Sequence, residues 1–187
     1  MKPLVTIFGS STPTEDSEEY TQAYEVGKGL GSLGVGVLSG GYFGTMEAVS
    51  KGAAAAESAV DIVGVLVPSL FVGRSLDGNS FLTKRIHAST LIERINVLTS
   101  SSRVFIVLPG KVGTMAEVVA VWNQDYCDKF KVRAGPSRVL LVCWRNPWEG
   151  FFKSVLSSLD LDDSFRPQLV FVDSPAEAVA AVKHFIN

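Results

Sequence analysis

Two kinds of segment alternate along this chain. Short apolar runs, Leu4-Val-Thr-Ile-Phe8, Val35-Gly-Val-Leu38, Ile62-Val-Gly-Val-Leu-Val67, Val104-Phe-Ile-Val-Leu108, Val139-Leu-Leu-Val142 and Leu169-Val-Phe-Val172, are bounded by Gly, Pro or Ser and separated by longer stretches with helical spacing. A continuous apolar run predicts a strand covered on both faces, because a half-exposed strand would alternate with polar residues. Segments 18–33, 45–57, 89–99, 114–128, 148–159 and 176–185 repeat their apolar residues every three to four positions and are predicted helices. Strand followed by helix, six times over, predicts an α/β fold: a Rossmann-like, doubly wound parallel sheet in three α/β/α layers. With 187 residues, the chain suits one nucleotide-binding domain over 1–187, since domains run to about 100–200 residues.

Boundaries carry their own signals. Ser174-Pro-Ala-Glu177 is a helix start: a Ser cap, a Pro at the first helical position and a Glu three residues after the cap. Gly29-Leu-Gly-Ser-Leu-Gly34 matches the dinucleotide-binding spacing in letters, yet that motif must follow a strand and open a helix. Here it closes a helix and precedes a strand, so Gly31 and Gly34 are predicted to be a helix stop. Residues 68–84, with Gly73, Asp77, Gly78 and Asn79, form a predicted long loop, for which a lid and an ordinary surface loop both remain open.

Composition excludes several classes. Hydrophobic residues make up 47% and charged residues 19%, with a mean hydropathy of +0.26, which argues against disorder. The net charge of −2 and the absence of a Lys/Arg run give a nucleic acid nothing to bind, so none is expected as partner. No apolar stretch reaches about 18 residues, so no membrane span is expected. The first nine residues lack a signal-peptide pattern, and the expected location is the cytoplasm. Cys127 and Cys143 lack metal-ligand spacing and read as core thiols. His87 and His184 have no partner at metal or triad spacing, and His184 reads as a solvated helix-end residue. No metal and no cofactor are expected.

Three turns follow the carboxyl ends of predicted strands: Gly9-Ser10-Ser11-Thr12, Ser39-Gly40-Gly41-Tyr-Phe-Gly44-Thr45, and Pro109-Gly110-Lys111-Val-Gly113-Thr114. Ligands of open parallel sheets bind beyond those ends, where strand order reverses, and a 3-2-1-4-5-6 order would make the three turns neighbours. Glycines let the backbone approach an anion, and the free N–H groups and dipole of the following helix attract it. Ser10, Ser11, Thr45 and Thr114 are candidate hydroxyl donors, whereas no P-loop pattern is present. Glu117 is expected in the first turn of its helix, where the dipole would keep it ionised to orient water or stabilise a developing cation, or where it would only complement that dipole. Arg94, on the helix leading to the fourth apolar run, is a candidate clamp for phosphate or hydroxyls.

Pro109-Gly-Lys-Val-Gly-Thr-Met-Ala-Glu117 resembles the Pro-Gly-Gly-x-Gly-Thr-x-x-Glu signature of the LOG family, the cytokinin riboside 5′-monophosphate phosphoribohydrolases once grouped under a lysine decarboxylase label. The likeness extends through Phe8-Gly-Ser-Ser11, Gly40-Gly-Tyr-Phe-Gly-Thr-Met46 and Glu93-Arg94. It implies that the glycine turns hold a nucleotide phosphate, and that Arg94 and Glu117 support cleavage of the bond between a purine-type base and ribose 5-phosphate. That bond breaks through an oxocarbenium-like state, which a carboxylate stabilises. A homodimer with sites near its interface is also implied, and apolar Val118, Val119, Val121 and Trp122 fit either core or partner. The chain departs from the signature at Lys111, which replaces the second glycine, and at Ile95, which replaces a lysine. Its second turn reads Gly-Gly-Tyr-Phe-Gly-Thr-Met, not Gly-Gly-Gly-x-x-Gly-Leu-Met. These departures also fit relatives of the fold that resemble molybdenum cofactor carrier proteins, which bind a phosphorylated pterin. The decarboxylase label finds no lysine placed for pyridoxal phosphate chemistry.

Overall fold

The structure, a computed structural model, describes residues 3–70, 76–131, 139–159 and 167–186. The elements run β1 (Leu4–Phe8), α1 (Glu18–Ser32), β2 (Gly36–Ser39), α2 (Thr45–Ala54), β3 (Ile62–Leu66), β4 (Lys84–His87), α3 (Leu91–Ser100), β5 (Val104–Val107), α4 (Val112–Lys131), β6 (Leu140–Trp144), α5 (Arg145–Ser158), β7 (Gln168–Val172) and α6 (Pro175–Ile186). The seven strands form one sheet in the order β4-β3-β2-β1-β5-β6-β7, parallel at every pairing. This is an α/β Rossmann-like fold. The six apolar runs supply β1, β2, β3, β5, β6 and β7, and their spatial order is the 3-2-1-4-5-6 arrangement the sequence suggested.

Every residue of β2, β3, β5 and β6 is buried, which is why their sequences show no polar alternation. The added strand β4, Lys-Arg-Ile-His, is exposed throughout and, among the described residues, pairs with β3 alone at the sheet edge. Its charged residues suit an edge and give no strand signal: Lys84 closes the predicted loop, and residues 85–88 carry no predicted element. Residues 71–75 lie outside the described residues, but Asn79 is buried and bonded to the turn after β2.

The Gly29–Gly34 segment does stop a helix. Val35 N–H donates to Leu30 O at 3.0 Å and Gly34 N–H to Gly31 O at 2.9 Å, with Gly34 at φ +72°, the bonding of a left-handed helix terminus. At α6, Glu177 N–H donates to Ser174 Oγ at 3.3 Å, while the Glu177 carboxylate accepts from Asp173 N–H at 2.9 Å, one residue before the cap. Cys143 is buried in β6, and burial pushes its thiol above the ordinary range. Cys127, in contrast, is exposed on α4, so the core-thiol expectation fails for it: the face of α4 carrying Cys127 and Asp128 meets solvent. Among the described residues, no helix is long and apolar enough to cross a membrane.

Candidate functional site

The strand order reverses between β1 and β5, so the chain leaves these adjacent strands towards opposite faces and opens a crevice at their carboxyl ends. A cavity of about 160 Å³ lies there, lined by Ile7, Phe8, Gly9, Ser10, Ser11, Gly40, Met46, Arg94, Lys111, Gly113, Thr114 and Glu117. All three predicted turns contribute to it, as do both Arg94 and Glu117. Gly41, Gly44, Thr45, Pro109 and Gly110 do not line it; they shape the turns behind it.

Two threonines tie those turns to β1. Thr45 donates both its backbone N–H and its hydroxyl to Ser10 O, each at 3.0 Å, and the Thr114 hydroxyl donates to Gly9 O at 3.1 Å. Ser10 Oγ lies 2.8 Å from Thr12 Oγ1 and accepts from Thr12 N–H at 3.2 Å. These hydroxyls therefore brace the Gly9–Thr12 turn, and the Thr45 and Thr114 protons point at backbone carbonyls. That leaves the amino end of α4 as the main donor surface. The first helical bond there is Met115 N–H to Lys111 O at 3.0 Å, so the amides of Val112, Gly113 and Thr114 precede any helical acceptor. A Cβ at Gly113 would meet nothing within 4 Å, so this stretch of backbone is open to a ligand. Lys111 is exposed and lines the same mouth.

Behind the turns sits a buried ion pair. Arg94 is 7% exposed and Glu117 9%, with Arg94 Nη1 3.7 Å from Glu117 Oε1. Arg94 Nε donates to Val65 O at 3.0 Å, and the guanidinium occupies the space a side chain at Gly40 would take. The carboxylate departs from the sequence expectation. Because α4 begins at Val112, Glu117 falls in the second turn, beyond the strongest dipole field. Burial raises its pKa from 4.5 to about 7, against the opposing pull of Arg94. Glu117 is thus poised to exchange a proton near neutrality.

Sequence reasoning missed the apolar floor, Ile7, Phe8 and Met46, because apolar residues at a strand end and a helix start look like core. It also missed Asn79, whose Nδ2 reaches Gly41 O at 3.2 Å, Tyr42 O at 3.3 Å and Ser50 Oγ at 3.3 Å.

A doubly wound parallel sheet with glycine turns, a helix amino terminus and a buried Arg–Glu pair at its switch point places the chain in the class of Rossmann-like α/β proteins, and the arrangement offers backbone N–H donors and cationic side chains to an anionic group. Residues 2–127 match the model of the SLOG cluster4 family, and the chain belongs to that family. It is 33% identical over 185 residues to the cytokinin riboside 5′-monophosphate phosphoribohydrolase of Mycobacterium tuberculosis, covering 95% of this chain and 91% of that protein. It is 32% identical over 123 residues to the Mycobacterium marinum protein of the same name, covering 65% and 63% respectively. Among solved structures, the molybdenum cofactor binding protein of Rippkaea orientalis superposes with a TM-score of 0.73 at 23% identity, covering 100% of this chain and 99% of that one. The molybdenum cofactor carrier protein of Chlamydomonas reinhardtii gives 0.67 at 25% identity over the same shares.

Proposed function

We propose that the chain hydrolyses the N-glycosidic bond of a nucleoside 5′-monophosphate, releasing a purine-type base and ribose 5-phosphate. The observation that carries this reading is the buried Arg94–Glu117 pair opening on the same cavity as the free amides of α4. The phosphate rests on those amides beside Lys111 and Thr114, enclosed by Gly9, Ser10, Ser11 and Gly40, while Gly41, Gly44, Thr45, Pro109 and Gly110 shape the turns from behind without touching it. Arg94 orients the ribose and the Glu117 carboxylate. As the bond from C1′ to the base nitrogen breaks, its electron pair stays on that nitrogen and positive charge grows on the ribose; ionised Glu117 stabilises that charge and takes a proton from the water whose oxygen bonds to C1′, and an equivalent proton from solvent neutralises the departing base. The names of the mycobacterial relatives support this chemistry. Incubation with AMP and N6-substituted analogues should release free base, detected by chromatography; no release from any nucleotide tested would sink the reading.

A second reading, carriage of a phosphorylated ligand without turnover, is favoured by Lys111, which adds a cation where the resembled signature has glycine. Tight binding of a phosphorylated pterin with no release of base from nucleotides would select it.

We also propose that the chain forms a homodimer. Leu91 and Ile92 on α3, and Val112, Met115 and Val119 on α4, are exposed apolar residues on two helices that pack together beside the cavity. Val118, Val121 and Trp122 are buried, so the core-or-partner alternative resolves to core for these three and leaves Val119 for a partner.

A further inference from the structure

The turn after β2 handles its two aromatic residues in opposite ways. Tyr42 is 1% exposed, and its hydroxyl accepts a hydrogen bond from Val67 N–H at 2.9 Å. Phe43, the next residue, is 46% exposed, unlike the other Phe, Tyr and Trp side chains whose exposure is described. Left-handed glycines on either side, Gly41 at φ +73° and Gly44 at φ +67°, turn the chain sharply enough to send Tyr42 inward and Phe43 outward. The backbone that carries Phe43 is held fast. Asn79 bonds Gly41 O and Tyr42 O, and Thr45 is bonded to Ser10 O. A rigid turn that leaves a phenyl ring in water forgoes the burial such a ring ordinarily gains, which a loose surface loop would recover by folding the ring down.

The position of the ring matters as much as its exposure. Gly40 and Met46, three residues to either side, both line the cavity, and a Cβ at Gly44 would strike Ser10 and Ser11, which also line it. Phe43 does not itself line the cavity, but Gly40 and Met46 of its own stretch do, and its neighbour Gly44 packs on Ser10 and Ser11. The cavity supplies donors for a phosphate and a carboxylate for the ribose, but its apolar lining is limited to Ile7, Phe8 and Met46, at the strand end and helix start. We propose that Phe43 is the platform on which the ligand's aromatic heterocyclic base stacks, presented at the rim by the inward anchor Tyr42 and the Asn79 clamp. This rests on the nucleotide reading above and adds to it the residue that recognises the base.

Stacking of one base on an aromatic ring is worth about a tenfold change in affinity. The test is calorimetric binding of AMP and of ribose 5-phosphate to Glu117→Gln protein, which holds turnover aside, compared with the same protein also carrying Phe43→Ala, Phe43→Leu or Phe43→Trp. Phe43→Ala should weaken AMP about tenfold and leave ribose 5-phosphate unchanged, Phe43→Leu should fall between, and Phe43→Trp should match the parent and have its fluorescence quenched by AMP. Unchanged AMP affinity in Phe43→Ala would overturn the proposal, as would equal losses for both ligands, or a change in solution mass marking the ring as an interface between copies. Binding is read without catalysis, so failure of the hydrolase reading would show instead as AMP binding with no base released by unsubstituted protein.

Discussion

At the scale of single residues, Glu117 is the group under most tension. Burial holds its pKa near 7 while Arg94 draws it down, so near neutrality the site contains both the acid and its conjugate base. The ionised form does the proposed chemistry, and turnover should therefore rise with pH through about 7 in a kcat profile. Arg94→Ala removes the one group that lowers the pKa; the rise should move to higher pH and the plateau rate should fall by about a hundredfold. Stability responds with the opposite sign. The folded chain binds this proton more tightly than the unfolded chain does, so the associated stabilisation is complete below pH 4.5 and is lost as pH climbs to about 7. The loss amounts to about 3 kcal/mol. Urea unfolding from pH 4.5 to 8 should show that decline, and Glu117→Gln should remove it. None of this was legible in the sequence, where Glu117 looked like an acid at a helix start; its burial and its pairing with Arg94, 23 residues away along the chain, exist only in the folded sheet.

At the scale of elements, the amino end of α4 combines two requirements that a substitution separates. Gly113 has ordinary helical geometry and an empty Cβ position, so Gly113→Ala should raise stability by about 0.5 kcal/mol in thermal unfolding, as alanine does in a helix. The new methyl group would stand where the phosphate approaches, so affinity for AMP should drop even as the melting temperature rises. The elements differ in how plainly the sequence announced them. Strands buried on both faces were legible because nothing polar interrupts them, and the α1 stop was legible because Gly34 alone could take its φ. Strand β4 was not, since an exposed edge strand of Lys, Arg, Ile and His is held by backbone bonds to β3 that leave no side-chain pattern. The start of α4 was misplaced by two residues, at Thr114 instead of Val112, and that slip put Glu117 one turn too close to the dipole.

At the scale of the whole molecule, strand order creates the site. Gly9, Gly40 and Gly113 come from three separate turns, and only the reversal between β1 and β5 gathers them over Arg94 and Glu117. The sequence could name the turns but not prove their meeting, because a crevice is a property of the folded sheet. The exposed row Val112, Met115 and Val119, with Ile92 at 75% exposure beside it, gives the molecule an apolar face adjoining that crevice. Sedimentation of the unsubstituted chain should give a dimer, and Ile92→Glu with Val119→Glu should halve the mass; equal masses would remove the dimer from the account. The central claim is that the Arg94–Glu117 pair breaks a glycosidic bond in a bound nucleotide, and its most direct measurement is a single-turnover assay of AMP on excess protein. The unsubstituted chain should release one equivalent of adenine and one of ribose 5-phosphate, and Glu117→Gln none, although that variant still binds AMP. Adenine release at the same rate from both proteins would contradict it.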